Sequence, residues 1–270
     1  MKKSAQYAKQ IKQLATMLKK EKGKAGLPPL DNPMEALLLG ILSAHASEQR
    51  AEAALARLLD AVVDLNEVRV SSVAELVTHL GTDFPSVRPA AEEIARALSA
   101  VFNRTHRLNL EHLKTGSRKA AETFLDLLDG VGAYAKAVVM QRCLGGHVVP
   151  IDRHMLFFLQ RNGCVPENAT VEEAQKLLAG RITERDAAGF YVALKRHAAA
   201  HTPRKLPPAK PAPAPAPVPQ PPEVPAAKLE KVEPKERNAA DAKSIAMKRA
   251  ERPAVSVEAP RKPKAEEHNR

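Results

Sequence analysis

From residue 27 to residue 202 apolar side chains recur at helical spacing, and nowhere do they alternate as strands would require. The run "NPMEALLLGILSAHASEQRAEAALARLLDAV" reads as one helix, with Asn32 as N-cap and Pro33 in the first position. Met34, Leu37, Leu38, Ile41 and Leu42 give it apolar residues on most sides, which predicts a buried helix. "SVAELVTHLG" predicts a short helix stopped at Gly81, and "VRPAAEEIARALSAVF" another with Pro89 near its start. "SRKAAETFLDLLDG" and "AYAKAVVMQRCLGG" follow, separated by a Gly-Val-Gly turn. "DRHMLFFLQRNG", "TVEEAQKLLAGRI" and "ERDAAGFYVALKRHAAAH" complete the series. About eight or nine helices with short connections predict an all-α fold. Ahead of them, Ile11, Leu14 and Leu18 mark one face of a basic helix within residues 1–26.

The pattern ends abruptly at Pro203. "PRKLPPAKPAPAPAPVPQPPEVP" favours extended polyproline II, and the charged stretch after it has few large apolar residues. Residues 203–270 are expected to be a disordered Pro/Ala/Lys-rich tail, either a solvated linker or an arm that binds polyanions.

Composition agrees with helix packed on helix: 44% of residues are hydrophobic, only 3% are aromatic, and tryptophan is absent. The net charge of +11 points to a polyanionic partner, but its distribution narrows that reading. Eight lysines against one glutamate give residues 1–24 about +7, and fifteen basic against nine acidic residues give the tail about +6. Residues 25–202 carry about −2, so the central domain must grip any nucleic acid by local geometry. Apolar runs are too short to span a membrane, and the lysine-rich N-terminus lacks the apolar core of a secretion signal. A cytoplasmic, nucleoid-associated location is therefore expected. Cys143 and Cys164 make neither a disulfide framework nor a metal quartet, and both are expected to act as small core residues.

Candidate chemistry begins at the turn "LDGVGAYAKAVV". Gly130-Val131-Gly132 places turn amides and a helix N-terminus on one edge, where an anion can be held without a basic side chain. Glycine also permits close backbone approach. Val131 is expected to tuck against Phe124 and Leu127. Such a turn either grips a DNA phosphate or merely joins two antiparallel helices.

The residues around it carry a resemblance. "LLDGVGAYAKAVVMQRCLGGHVVPIDRHMLFFLQRNG" resembles the signature of the endonuclease III superfamily of helix-hairpin-helix (HhH-GPD) DNA glycosylases. In that family a Leu-Pro-Gly-Val-Gly hairpin precedes, by about twenty residues, a Val-Asp-x-His element that opens the next helix. Here that element is Ile151-Asp152-Arg153-His154. "EALLLGILSAHASEQRAEAA" is similar to the family's second helix, and "GFYVALKRHAAAH" to the helix leading into its iron–sulfur loop. The resemblance spans roughly residues 30–202 with the elements in the family's order.

It implies a two-lobed helical fold within 27–202, one lobe at about 34–146 and the other combining about 147–202 with the N-terminal helix. Double-stranded DNA with a damaged or mispaired base would lie across the cleft, bound by a monomer. Gly130, Val131 and Gly132 would hold backbone, with His45 and His154 as further DNA contacts. His45 stands where many relatives carry the glutamine that fills the gap left by the extruded base, although a core role suits it as well. Asp152 would stabilise charge developing at C1′ or activate water, and it equally suits a plain helix N-cap.

Tyr134 stands where bifunctional members carry the lysine that forms a Schiff base. A phenol cannot form an imine, and Lys136, about 200° further round the helix, faces away. The resemblance therefore implies hydrolytic base removal with lyase activity weak or absent, and no adduct on borohydride trapping. Tyr134 is otherwise a packing residue. The glutamate of adenine-type enzymes is absent, its place falling near Leu39, and no cysteine follows Cys164, so "AAAHTPRK" cannot ligate an iron–sulfur cluster. No cofactor and no metal are expected. The alternatives are a catalytically inactive hairpin DNA-binding protein and a helical protein–protein scaffold.

Overall fold

The computed structural model describes residues 2–20, 27–203 and 206, with side chains from residue 5 onward. The tail past Pro203, Leu206 apart, lies outside the described residues, as do residues 21–26. Among the described residues there are twelve helices and no strands. They are α1 (Lys2–Lys20), α2 (Pro33–His45), α3 (Glu48–Ala61), α4 (Leu65–Val70), α5 (Val73–Leu80), α6 (Val87–Thr105) and α7 (His112–Thr115). Then follow α8 (Arg118–Asp126), α9 (Ala133–Arg142), α10 (Arg153–Arg161), α11 (Val171–Ala179) and α12 (Glu184–His201). No helix is long and apolar enough to cross a membrane.

Capping chemistry sets most of the starts. The Asn32 side chain accepts from the amides of Met34 and Glu35, and Pro33 occupies the first turn of α2, where its missing N–H costs nothing. Ser72 with Glu75 and Thr170 with Glu173 form reciprocal capping boxes at α5 and α11.

The long run after Asn32 is not one helix. Ala46 and Ser47 are extended (φ −144° and −66°, ψ near 176° and 156°), which ends α2 at His45 and restarts the chain as α3. Periodicity alone cannot detect such a break, because two residues of extended chain leave the apolar spacing almost intact. Its consequence is local: Glu48 becomes the first residue of α3 and turns inward.

Two apolar cores result. One gathers Met34 to Met140 from α2 through α9, around the buried Leu37, Leu38, Ile94 and Leu98. The other joins Ile11, Leu14 and Leu18 of α1 to residues of α10, α11 and α12, including Phe158, Leu178 and Tyr191. Helix α9 serves both, since Ala135 and Val139 face the first core while Tyr134 and Val138 face the second. The α2–α9 crossing is close: a Cβ on Gly40 would lie 3.0 Å from the Ala135 Cα. Lys19 bridges α1 to Asp186 of α12 at 3.0 Å, an exposed pair that adds little beside the apolar contacts.

Candidate active site

The turn between α8 and α9 is built on one obligatory glycine. Gly130 has φ +79°, and a Cβ there would meet the Glu93 carbonyl oxygen at 2.5 Å and the Ala97 nitrogen at 2.7 Å, both backbone atoms of α6. Asp129 Oδ1 accepts the Gly130 amide at 2.8 Å. Gly132 differs. As N-cap of α9 it has φ −74°, and a Cβ would meet nothing within 4 Å. The open side of this turn is therefore at Gly132, directly before the N-terminus of α9. Val131 is half-buried against the first core, but Leu127 is 41% exposed and Leu128 is the buried neighbour. Phe124 borders the same core as Val131, and Leu127 is the C-cap of α8.

The two glycines predict different outcomes. Gly130→Ala should cost on the order of 1–3 kcal/mol in urea denaturation, from left-handed strain alone and before the clash with α6. Gly132→Ala should change stability by less than about 0.5 kcal/mol. Its expected effect is on DNA affinity, measured by fluorescence anisotropy.

Four residues past Gly130, the Tyr134 ring turns away from the hairpin edge into a polar cluster between the two cores. Lys195 Nζ, from α12, lies 2.5 Å from Tyr134 Oη and 2.5 Å from the Ser43 carbonyl at the end of α2. It also donates to Glu48 Oε1 at 3.3 Å and lies 3.8 Å from Asp152 Oδ2. Tyr134 and Tyr191 share a hydroxyl–hydroxyl bond of 2.7 Å, and Tyr191 also donates a short bond to Glu48. Arg142 Nη1 approaches Glu48 Oε2 at 3.6 Å, while its Nη2 holds the Pro28 carbonyl at 3.1 Å. Glu48 and Asp152 thus face Lys195, and Glu48 also faces Arg142, so each buried charge has an opposite charge beside it.

Asp152 is the N-cap of α10 and also faces Lys195. Its Oδ1 accepts the Met155 amide at 2.8 Å and so caps α10, while Oδ2 is directed to Lys195. Only 8% of the residue is exposed. Burial pushes the Tyr134 phenol up, Lys195 opposing, and burial followed by Tyr134 and Glu48 pushes Tyr191 well up. Both hydroxyls therefore stay protonated and serve as neutral donors. Burial pulls the Lys195 ammonium down, but Tyr134, Asp152 and Glu48 outweigh it, and the net shift is upward.

The remaining candidate residues sit outside this cluster. His45 pairs with Glu93 of α6 at 3.0 Å, on the same helix that backs the Gly130 turn. His154 is half-buried and its Nδ1 lies 2.9 Å from the Thr202 hydroxyl. Lys136 turns from the cluster and bridges Asp126 at 2.6 Å and Glu122 at 3.8 Å on α8. Because those carboxylates are exposed, Lys136→Ala should cost at most about 1 kcal/mol in thermal denaturation.

Sequence reasoning missed Ser43, Glu48, Arg142, Tyr191 and Lys195. Glu48 and Lys195 lie 147 positions apart, and no local spacing joins them. The one usable signal was the type of residue in α12, where Lys195 follows Leu194 on a face otherwise apolar.

An iron–sulfur cluster, which the resemblance implies for many relatives, does not fit this chain. Its two cysteines cannot provide four thiolates. Cys164 is buried in the second core, whereas Cys143 is only half-buried against the first, less enclosed than expected. Among the described residues no group of three His, Cys, Asp or Glu side chains could hold a metal ion.

No family model and no curated protein matches the sequence. Solved structures do match its fold. A trapped endonuclease III–DNA covalent intermediate aligns with a TM-score of 0.56 at 20% identity, covering 73% of this chain and 90% of that one. A non-covalent endonuclease III–DNA complex gives 0.52 at 20% identity, over 72% and 86%. A thermostable thymine-DNA glycosylase gives 0.51 at 17% identity, over 76% and 90%. The chain therefore has the fold of the helix-hairpin-helix DNA glycosylases.

Proposed function

We propose that this protein is a base-excision glycosylase that hydrolyses the N-glycosidic bond of a damaged or mispaired base in duplex DNA. The observation that carries the reading is Asp152: a carboxylate fixed at the start of α10 by the Met155 amide, with its second oxygen 3.8 Å from Lys195 Nζ. Bond breakage develops positive charge on the sugar, and a fixed carboxylate beside C1′ stabilises it or takes a proton from the attacking water. The base must first leave the stack, which costs least when it is damaged or mispaired. The Gly130–Gly132 turn would hold the DNA backbone through the free amides that open α9, with His45 and His154 flanking it. Tyr134, a neutral phenol, leaves strand cleavage weak. We take the protein to act as a monomer at the nucleoid, without cofactor.

The test is a panel of duplexes carrying uracil, a thymine mismatch, an oxidised pyrimidine or a methylated purine, each followed by alkali. Base release from at least one is expected. Binding without release from any would favour the second reading, a hairpin DNA-binding protein without catalysis, which the burial of the cluster supports.

The basic ends make a separate prediction. A nearly neutral domain that binds phosphate through amides should show a shallow salt dependence, and each phosphate neutralised by the tails adds about −0.9 to the slope. A cut after Pro203 is the proper test, because a cut after Ala200 would also remove the Thr202 hydroxyl from His154. Equilibrium binding across a salt series should give a flatter slope for the truncated chain; equal slopes would leave the tail as a passive linker.

A further inference from the structure

The second core carries a groove that the hydrolytic reading leaves without a task. It is lined by α1, α10 and α12 and has a volume of about 800 Å³. Its walls are aromatic and amide rather than charged. On α12 the rings of His197 and His201 stack at 4.0 Å and 20°, and His197 meets the Phe158 ring edge-on at 5.1 Å. On α10 Arg161 lies 5.7 Å from the centre of the Phe157 ring and is the one permanent charge among the described residues that line the groove. On α1 the lining includes Gln10, Gln13 and Met17, the last a large apolar side chain left 38% exposed. Two lysines of that helix, Lys12 and Lys19, line a different groove.

Flat rings, amide donors and little charge suit an extended proline-rich chain. Polyproline II makes no internal hydrogen bonds, so its carbonyls need outside donors, and its rigid form loses little entropy on an aromatic surface. Such a segment follows directly from the groove itself. Thr202 lines it, and Leu206, four residues on, is half-buried. Next comes Pro207-Pro208-Ala209-Lys210-Pro211, outside the described residues. The chain from Thr202 to Pro207 can reach about 17 Å, enough to enter the groove. With three residues per turn, polyproline II would put Pro208 and Pro211 on one edge and Lys210 off it. That edge is about 9 Å long, close to the roughly 10 Å from Gln10 to Met17 along α1. We propose that this groove is a polyproline II binding site whose occupant is Pro207–Pro211 of the same chain. The proposal does not depend on the DNA reading.

The experiment uses the full chain with two substitutions, Met17→Cys in the groove and Ala209→Cys in the segment, under mild oxidation. Mass spectrometry of the linked peptides separates this disulfide from any made by Cys143 or Cys164. The bond is expected within one chain, at a rate independent of protein concentration. That rate should exceed by about tenfold the rate with Lys12→Cys, which lies about 140° round α1 from position 17.

Tethering alone would favour both positions alike, so a second comparison isolates docking. Pro208→Gly with Pro211→Gly keeps the tether length and should lower the rate at position 17 to that at position 12. Both changes lie beyond α12, so the helical domain keeps its fold. An excess of a synthetic peptide of residues 205–215 should slow the bond, and the same peptide with glycine for proline should not. Equal rates at positions 17 and 12, or a rate that the glycines leave unchanged, would overturn the proposal. A bond between two copies would give the groove to the tail of a second chain and overturn docking within one.

Discussion

Asp152→Asn should reduce base release by roughly 10²–10⁴-fold on any duplex the parent protein processes, the range typical of a positioned acid or base. Affinity for the same duplex should stay nearly unchanged. The substitution separates two contributions that other changes would confuse. Asparagine retains an oxygen that can accept the Met155 amide, so the start of α10 is kept. What disappears is the negative charge directed towards Lys195. Only an interaction that strengthens in the transition state lowers the barrier, so the loss should fall on the single-turnover rate and not on binding. Full activity in the variant would remove Asp152 from the chemistry and leave it as a cap.

The largest stability effect is expected at Glu48. Its Oε1 accepts from Lys195, Tyr191 and Tyr134, and its Oε2 faces Arg142. With only 14% of its side chain exposed, water cannot take over those donors when the carboxylate is removed. Glu48→Ala should therefore cost about 3–5 kcal/mol in urea denaturation, the usual penalty for leaving a buried charge without its partner. A double-mutant cycle makes the cause specific. Adding Lys195→Met to Glu48→Gln should cost less than the sum of the two single changes, since it removes both members of the pair together. Strict additivity would mean that the two residues do not stabilise one another, and the cluster would be packing alone.

How far the sequence reaches is clear from particular residues. The helix from Pro33 was legible because a cap, a proline and an apolar face all lie within eleven positions. The start of α10 was legible for the same reason: Asp152 precedes a run whose inner face is Met155, Phe158 and Leu159. The break at Ala46–Ser47 was not, because backbone geometry over two residues barely disturbs a pattern of side chains.

By itself the sequence determined most of the helices, though not α4, α7 or the break between α2 and α3, together with the glycine turn before α9, Asp152 as the start of α10 and the near-neutrality of the domain between basic ends. Each depends on residues close in the chain or on a count over it, and local sterics, capping and charge act at that range. Only the tertiary structure decided what surrounds Tyr134 and Asp152. Lys195, Glu48 and Arg142 reach the site from separate helices, and their meeting follows from the way two apolar cores share α9. Burial then supplies the physical force of the arrangement. Charges that water would screen along an extended chain are held here at 3.3–3.8 Å on largely buried side chains, so the pairing exists as chemistry only once the fold has closed.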